Sequence, residues 1–164
     1  MATTAISIAE YLSTSYEPDC DYIDGEIQER NLGEIDHSRL QGAVFAYFFN
    51  RRREWGVSAF PEQRVQVSAT RFRIPDVCVV LGEPAGQILR EPPFICIEIL
   101  SPEDRISRMT ERVADYLHFG VPYVFVLDPH SRKAWRCTAG AAVEVAELRT
   151  ENPAMLVPLA ALFE

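Results

Sequence analysis

Lysine is almost missing from this chain. Lys133 stands alone against fifteen arginines, so nearly every positive charge is a guanidinium that stays protonated at any working pH. Positive charge as a whole is scarce. The net charge of −8 argues against broad, non-specific binding to DNA, because affinity for phosphates comes from clustered cations. The cysteines Cys20, Cys78, Cys96 and Cys137 form no CxxC pair and have no zinc-like spacing. Cys78 and Cys96 fall in apolar runs, where a cysteine acts as a small hydrophobe, and all four are read as reduced thiols. No apolar run approaches the roughly 20 residues of a membrane helix. The start, Met1-Ala2-Thr3-Thr4, lacks the basic and apolar stretches of a signal peptide, so a cytoplasmic protein is expected. There is no internal repeat, low-complexity segment or linker. The 164 residues form one expected domain, 1–164, long enough to bury a real core.

The local signals alternate between helix and strand. Ser7 and Glu10 make a capping box for a short helix ending near Thr14. Asp24-Gly25, between Tyr22-Ile23 and Glu26-Ile27, predicts a tight hairpin. Asp36 is the expected N-cap of a helix from His37 to about Trp55, with Leu40, Val44, Tyr47 and Phe48 at helical spacing and Gly56 as its stop. Strands are expected near 57–60, 65–67, 77–81 and 94–100, then a helix from Ser107 to Phe119 and a strand from Tyr123 to Leu127. Lys133–Cys137 and Ala142–Glu147 read as a C-terminal hairpin around Ala139-Gly140. In the tail, Leu156, Leu159 and Leu162 are expected to pack inward. This order predicts an α/β fold with one mixed sheet.

Two acids stand out. Asp76 lies in Arg73-Ile74-Pro75-Asp76-Val77-Cys78-Val79-Val80-Leu81, and Glu98 in Phe94-Ile95-Cys96-Ile97-Glu98-Ile99-Leu100. A carboxylate in a buried strand is costly unless it is paired or holds a cation. Asp76 begins its strand and Glu98 lies late in the next, so antiparallel neighbours would bring the two together. Side by side they would repel unless a cation or a shared proton relieved them. Oxygen-only ligands favour Mg²⁺ or Mn²⁺. The competing reading has Asp76 capping a turn after Pro75 and Glu98 paired with a nearby arginine.

Pro75-Asp76 followed by Glu98-x-Leu100 resembles the PD-(D/E)XK phosphodiesterase superfamily, which has the restriction endonuclease-like fold. More narrowly, the chain resembles the Uma-type group of restriction-endonuclease-like proteins, from about Ile8 to Pro129. The pieces are Tyr22-Ile23-Asp24-Gly25-Glu26, His37 opening the long helix, Arg73-Ile74-Pro75-Asp76-Val77, Ile97-Glu98-Ile99-Leu100-Ser101-Pro102, Tyr116 near Gly120-Val121, and Val126-Leu127-Asp128-Pro129. The resemblance implies a core of a mixed central sheet flanked by helices in αβββαβ order. It implies that Asp76, Glu98 and the Ile99 carbonyl hold Mg²⁺ or Mn²⁺ and that DNA phosphodiesters are cut. It also implies a lysine two residues after the second acid, where this chain has Leu100. In the Uma-type group a lysine on the following helix substitutes, and its counterpart here is Arg112.

Arg112 falls about 40° from Tyr116, at the edge of the apolar stripe, on one side with Arg105 and Arg108. It has two readings: a cation that stabilises phosphate charge, or part of a solvated face paired with Glu111 and Asp115. It cannot serve as a general base. His37 either helps position water or phosphate or simply caps its helix. Glu26 and Gln63 are weaker candidates. His118 and His130 have no obvious partners, and no Ser-His-Asp arrangement can be assembled. Two rivals to a nuclease remain: a non-catalytic binding or assembly module on the same fold, and a metal-dependent hydrolase of small phosphates. A homodimer through the C-terminal strands is expected by analogy with nucleases that cut two-fold sites.

Overall fold

The structure is a computed structural model describing residues 4–31 and 33–164. Met1, Ala2 and Thr3 of the N-terminal reading, and Leu32 of the loop before the long helix, lie outside the described residues. Helix α1 (Ile8–Ser13) begins where expected, with the Glu10 N–H donating to Ser7 Oγ at 3.1 Å. Strands β1 (Cys20–Ile23) and β2 (Glu26–Glu29) form the predicted hairpin. Its two turn residues, Asp24 and Gly25, have φ of 51° and 93°, the left-handed pair that a two-residue turn of this hand requires.

The long helix differs from expectation at both ends. Helix α2 (Ile35–Asn50) starts after Glu34, so Asp36 sits in its first turn and does not cap it. It stops at Arg51, and a separate turn, α3 (Arg52–Trp55), ends at Gly56 with φ of 64°. Trp55 lies against Tyr47 and Phe48, a contact made by the bend at Arg51.

Strands β3 (Val57–Pro61), β4 (Val65–Ser68), β5 (Arg71–Arg73) and β6 (Val77–Leu81) follow. The run from Arg73 to Leu81 is therefore not one strand. β5 belongs to a four-stranded sheet, β2-β1-β5-β4, while β6 belongs to a six-stranded sheet. Pro75 has no N–H to continue a ladder, and the chain changes sheets there. Asp76 lies just before β6, at the joint.

The six-stranded sheet also takes β7 (Ile95–Ile99), β8 (Tyr123–Asp128), β9 (Lys133–Thr138) and β10 (Ala141–Val145), in the order β10-β9-β8-β7-β6-β3. β7 and β8 are parallel and their neighbours antiparallel. The parallel step needs a crossover, supplied by α4 (Ile106–Phe119). The series α2, β3, β6, β7, α4, β8 is the expected αβββαβ core, with β4 and β5 inserted between its first two strands.

The C-terminal hairpin turns at Ala139-Gly140 as expected, but its second strand ends at Val145. Glu147 opens a further strand, β11 (Glu147–Thr150), which pairs with β12 (Met155–Pro158) before a 3₁₀ turn over Leu159–Phe163. Alternation along β12 buries Met155 and Val157, so Leu156 points outward at 39 % exposure, while Leu162 is buried.

β7 is buried on both faces. Ile95, Ile97 and Ile99 meet Leu40, Val44 and Phe48 of α2 on one side. Cys96 packs with Met109 and Tyr116 of α4 on the other. The four cysteines are free and buried. A third cluster, Tyr11, Tyr22 and Phe72, holds α1 to the smaller sheet.

Arg73 ties that smaller sheet to α4. Its guanidinium is buried and contacts Asp21 at 3.1 Å and Asp115 at 2.7 Å. Arg71 adds contacts to Asp115 at 2.9 Å and Asp24 at 2.8 Å. Removing one partner of a buried pair strands the other charge, at about 3–5 kcal/mol. Arg73→Met is therefore expected to lose about that much in urea unfolding, whereas Arg149→Met, at an exposed pair with Glu147, loses under about 1 kcal/mol.

Candidate active site

The β6–β7 register brings the two acids together. Val77 pairs with Ile97 in antiparallel register, so Asp76, one step earlier, comes opposite Glu98, one step later. Both are buried. Asp76 Oδ2 accepts the Ile99 N–H at 2.7 Å. Its Oδ1 accepts from Arg30 Nη2 at 2.7 Å and faces His37 Nε2 at 3.4 Å. Gln41 Nε2 donates to the Asp76 backbone carbonyl at 3.0 Å, so α2 grips this residue twice.

Glu98 is held from α4. Tyr116 donates its hydroxyl to Glu98 Oε1 at 2.5 Å. Glu98 Oε2 is buried without a hydrogen-bond partner, with Arg112 Nη1 3.8 Å away. Arg112 also stands 3.8 Å from Asp21 and 3.9 Å from Asp104. Asn31 Nδ2 donates at 2.9 Å to both Ser101 Oγ and Asp104 Oδ1, closing the rim.

These contacts push the two acids apart in acidity. Burial opposes the Asp76 charge, but His37, Arg30 and the Ile99 N–H outweigh it and hold its carboxyl below the usual range. Glu98 is pushed up to about 8 by burial, with the Asp76 charge adding to it. Burial also works against a charged His37, yet contact with Asp76 raises its pKa.

Arg30, His37, Asp76, Ile99, Asp104 and Arg112 line a recess of about 20 Å³. One water needs about 10–15 Å³, so the recess takes a single water or a small ion. A much larger apolar cavity of about 970 Å³ lies between α4 and the β9–β10 hairpin and meets the recess at Ser101 and Asp104.

The fold thus gathers His37, Asp76, Glu98, Ile99 and Arg112. It leaves the weaker candidates elsewhere. Glu26 is exposed in its hairpin. Gln63 donates to the carbonyls of Arg64 and Gln87, pinning a loop. The exposed-face reading of Arg112 is corrected: the residue is only 8 % exposed, and Glu111 and Asp115 pair with Arg71 and Arg73 instead. Arg105 and Arg108 remain exposed.

Arg30, Asn31, Asp21 and Asp104 also belong here and were not anticipated. Asp21 carried a usable signal, since it interrupts Cys20-Asp21-Tyr22-Ile23 as Glu98 interrupts its own apolar strand. Arg30 carried none, because its partner lies 46 residues away.

The protein has the restriction endonuclease-like fold: a central mixed sheet flanked by helices in αβββαβ order. It is similar over 96 % of its length, and 97 % of the other chain's, to a crystal structure described as "a putative nuclease belonging to DUF820 from Anabaena variabilis ATCC 29413", with a TM-score of 0.80 and 22 % identity. The chain belongs to the Uma2 family, described as "Putative restriction endonuclease", whose model matches residues 8–163. No curated protein matches it. Among the described residues, no helix is long and apolar enough to cross a membrane.

The raised Glu98 pKa makes stability fall with pH. Between its ordinary value of 4.5 and about 8, the folded state holds a proton that the unfolded state has lost. That stabilisation is complete at low pH and disappears as pH rises through the folded value. Glu98→Gln keeps an acceptor for Tyr116 and cannot ionise. In thermal melts without added metal it is expected to match the wild type near about pH 5 and to exceed it by several degrees near about pH 9.

Proposed function

We propose that this protein is an endonuclease that hydrolyses DNA phosphodiesters with Mg²⁺ or Mn²⁺, and that Asp76, Glu98 and the Ile99 carbonyl hold the ion. The observation that carries the reading is the pairing of two buried carboxylates across β6 and β7, with Glu98 Oε2 lacking a hydrogen-bond partner. Among the described residues there is no cluster of three His, Cys, Asp or Glu side chains that could hold a metal, so the set on offer is two carboxylates and a backbone oxygen. It fits a hard cation. A buried carboxylate oxygen without a partner is costly and is relieved by one. Asp76 has more lone pairs than its present contacts use. In a strand the N–H and C=O of one residue point to the same side, so Ile99, whose N–H meets Asp76, directs its carbonyl there too. When bound, such an ion polarises a phosphoryl oxygen and acidifies a water.

The chain's own residues do the rest. His37 and Gln41 hold Asp76 in place. Tyr116 fixes one oxygen of Glu98. Arg112 stays protonated and so stabilises developing phosphate charge without taking a proton. Four buried thiols suit a reducing cytoplasm. A second reading, a nuclease-fold module that binds without cutting, is favoured by Leu100 and Arg112 standing where the family patterns carry lysine.

The test is cleavage of duplex DNA, single strands and mononucleotides with Mg²⁺ or Mn²⁺. Asp76→Ala and Glu98→Ala are each expected to lose at least about 100-fold, and Arg112→Met about 100–1000-fold, while Arg112→Lys retains or exceeds wild-type activity. Equal cleavage by wild type and both acid variants would identify a contaminant. Cleavage of mononucleotides alone would select the small-phosphate hydrolase.

We also propose a homodimer through β10, an edge strand of the larger sheet. Its Val143 is 61 % exposed, and an open apolar edge is a template for pairing with a second copy. Light scattering is expected to find a dimer for the wild type and a monomer for Val143→Lys.

A further inference from the structure

We propose that Arg30 is a resident counter-ion for Asp76, which it releases when the divalent ion and an anionic substrate enter together. This rests on the metal-site reading above and adds a residue that couples the two ligands. Arg30 follows β2, where its N–H donates to the Asp19 carbonyl at 3.2 Å. Its side chain crosses to Asp76, 46 residues away, with Nη2 at 2.7 Å from Oδ1. Its other ion-pair contact among the described residues is the half-exposed Glu62, at 3.8 Å, and the charges of Glu98 and Asp21 also act on it.

Arg73 shows what a purely structural arginine looks like in this protein. Its guanidinium donates to Asp115, Asp21 and Gln28 and lies away from the recess. Arg30 has Asp76 as its one close side-chain partner among the described residues, and it lines the recess.

Charge gives the coupling its direction. The recess keeps about 20 Å³ with Arg30 in place, so the competition is over charge: an ion drawn to Asp76 is repelled by the guanidinium already seated on its Oδ1. A divalent ion cancels the two carboxylates that hold it, so Arg30 loses the Asp76 charge that balances it and keeps only the half-exposed Glu62 within ion-pair distance among the described residues. A phosphodiester carries one negative charge and restores that balance through a charge-assisted hydrogen bond. Arg30 therefore weakens ion binding to the free protein and strengthens it once the substrate phosphate is present. By reciprocity, the ion raises affinity for the phosphate by the same factor.

The test is Mn²⁺ binding, measured by calorimetry on the full chain, alone and with a phosphorothioate DNA duplex. Wild type is expected to bind Mn²⁺ about tenfold tighter with the duplex present. Arg30→Met is expected to bind Mn²⁺ alone about tenfold tighter than wild type does, by loss of a nearby positive charge, and to gain clearly less from the duplex than wild type does. Unchanged or weaker Mn²⁺ binding by Arg30→Met, with wild type still binding, would overturn the coupling role and leave the metal site standing. Absence of Mn²⁺ binding in both proteins would overturn the metal site and the coupling with it. A readout in the wild type covers the case in which the variant does not fold. The Arg30 Nε–H resonance should move when Mg²⁺ and the phosphorothioate duplex are added together while that of Arg73 stays fixed, and an unmoved Arg30 signal would overturn the proposal.

Discussion

Two carboxylates facing each other across a buried strand pair set the terms for everything around them. Water cannot relieve their repulsion there, so the protein must do so with protons, hydrogen bonds and cations. The solution is asymmetric. Asp76 receives an arginine, a histidine and a backbone N–H and stays ionised. Glu98 receives one tyrosine hydroxyl, keeps an unpartnered oxygen and holds a proton more readily. Two adjacent buried acids with opposite pKa shifts make this place a candidate functional site.

The near-absence of lysine then acquires a structural meaning. Arginine fills two separate roles. Arg71 and Arg73 bolt the smaller sheet to α4 through Asp115 and Glu111 and pair with Asp24 and Asp21 inside that sheet. Arg30 and Arg112 face the recess. Asp21 joins the two sets, accepting from Arg73 while standing near Arg112. The cation over Glu98 is thus near the same aspartate that pairs with the arginine docking the smaller sheet on α4. Neither recess arginine can accept a proton, which excludes both as general bases.

The insertion of β4 and β5 within the αβββαβ series matters for the same reason. It completes a second sheet with the N-terminal hairpin, and that hairpin delivers Arg30 and Asn31 to the rim. The core sheet supplies the acids. The added sheet supplies part of what neutralises them.

Much of this was legible in the residues themselves. Alternation along 94–100, the Asp-Gly turn, the α4 stripe and the strand and helix order are local periodicities, and local sterics decide them. The meeting of Asp76 and Glu98 was legible too, because consecutive strands commonly pair and an antiparallel pair sets the start of one opposite the end of the next. Tertiary structure alone decided the break at Arg51, the change of sheets at Pro75, the burial of Arg112 and the arrival of Arg30 and Asp21. The arrival of Arg30 and Asp21 depends on contacts between residues 46 and 52 positions apart. No periodicity encodes such a contact; it exists only once the sheets have chosen their neighbours and the buried charges have had to find partners.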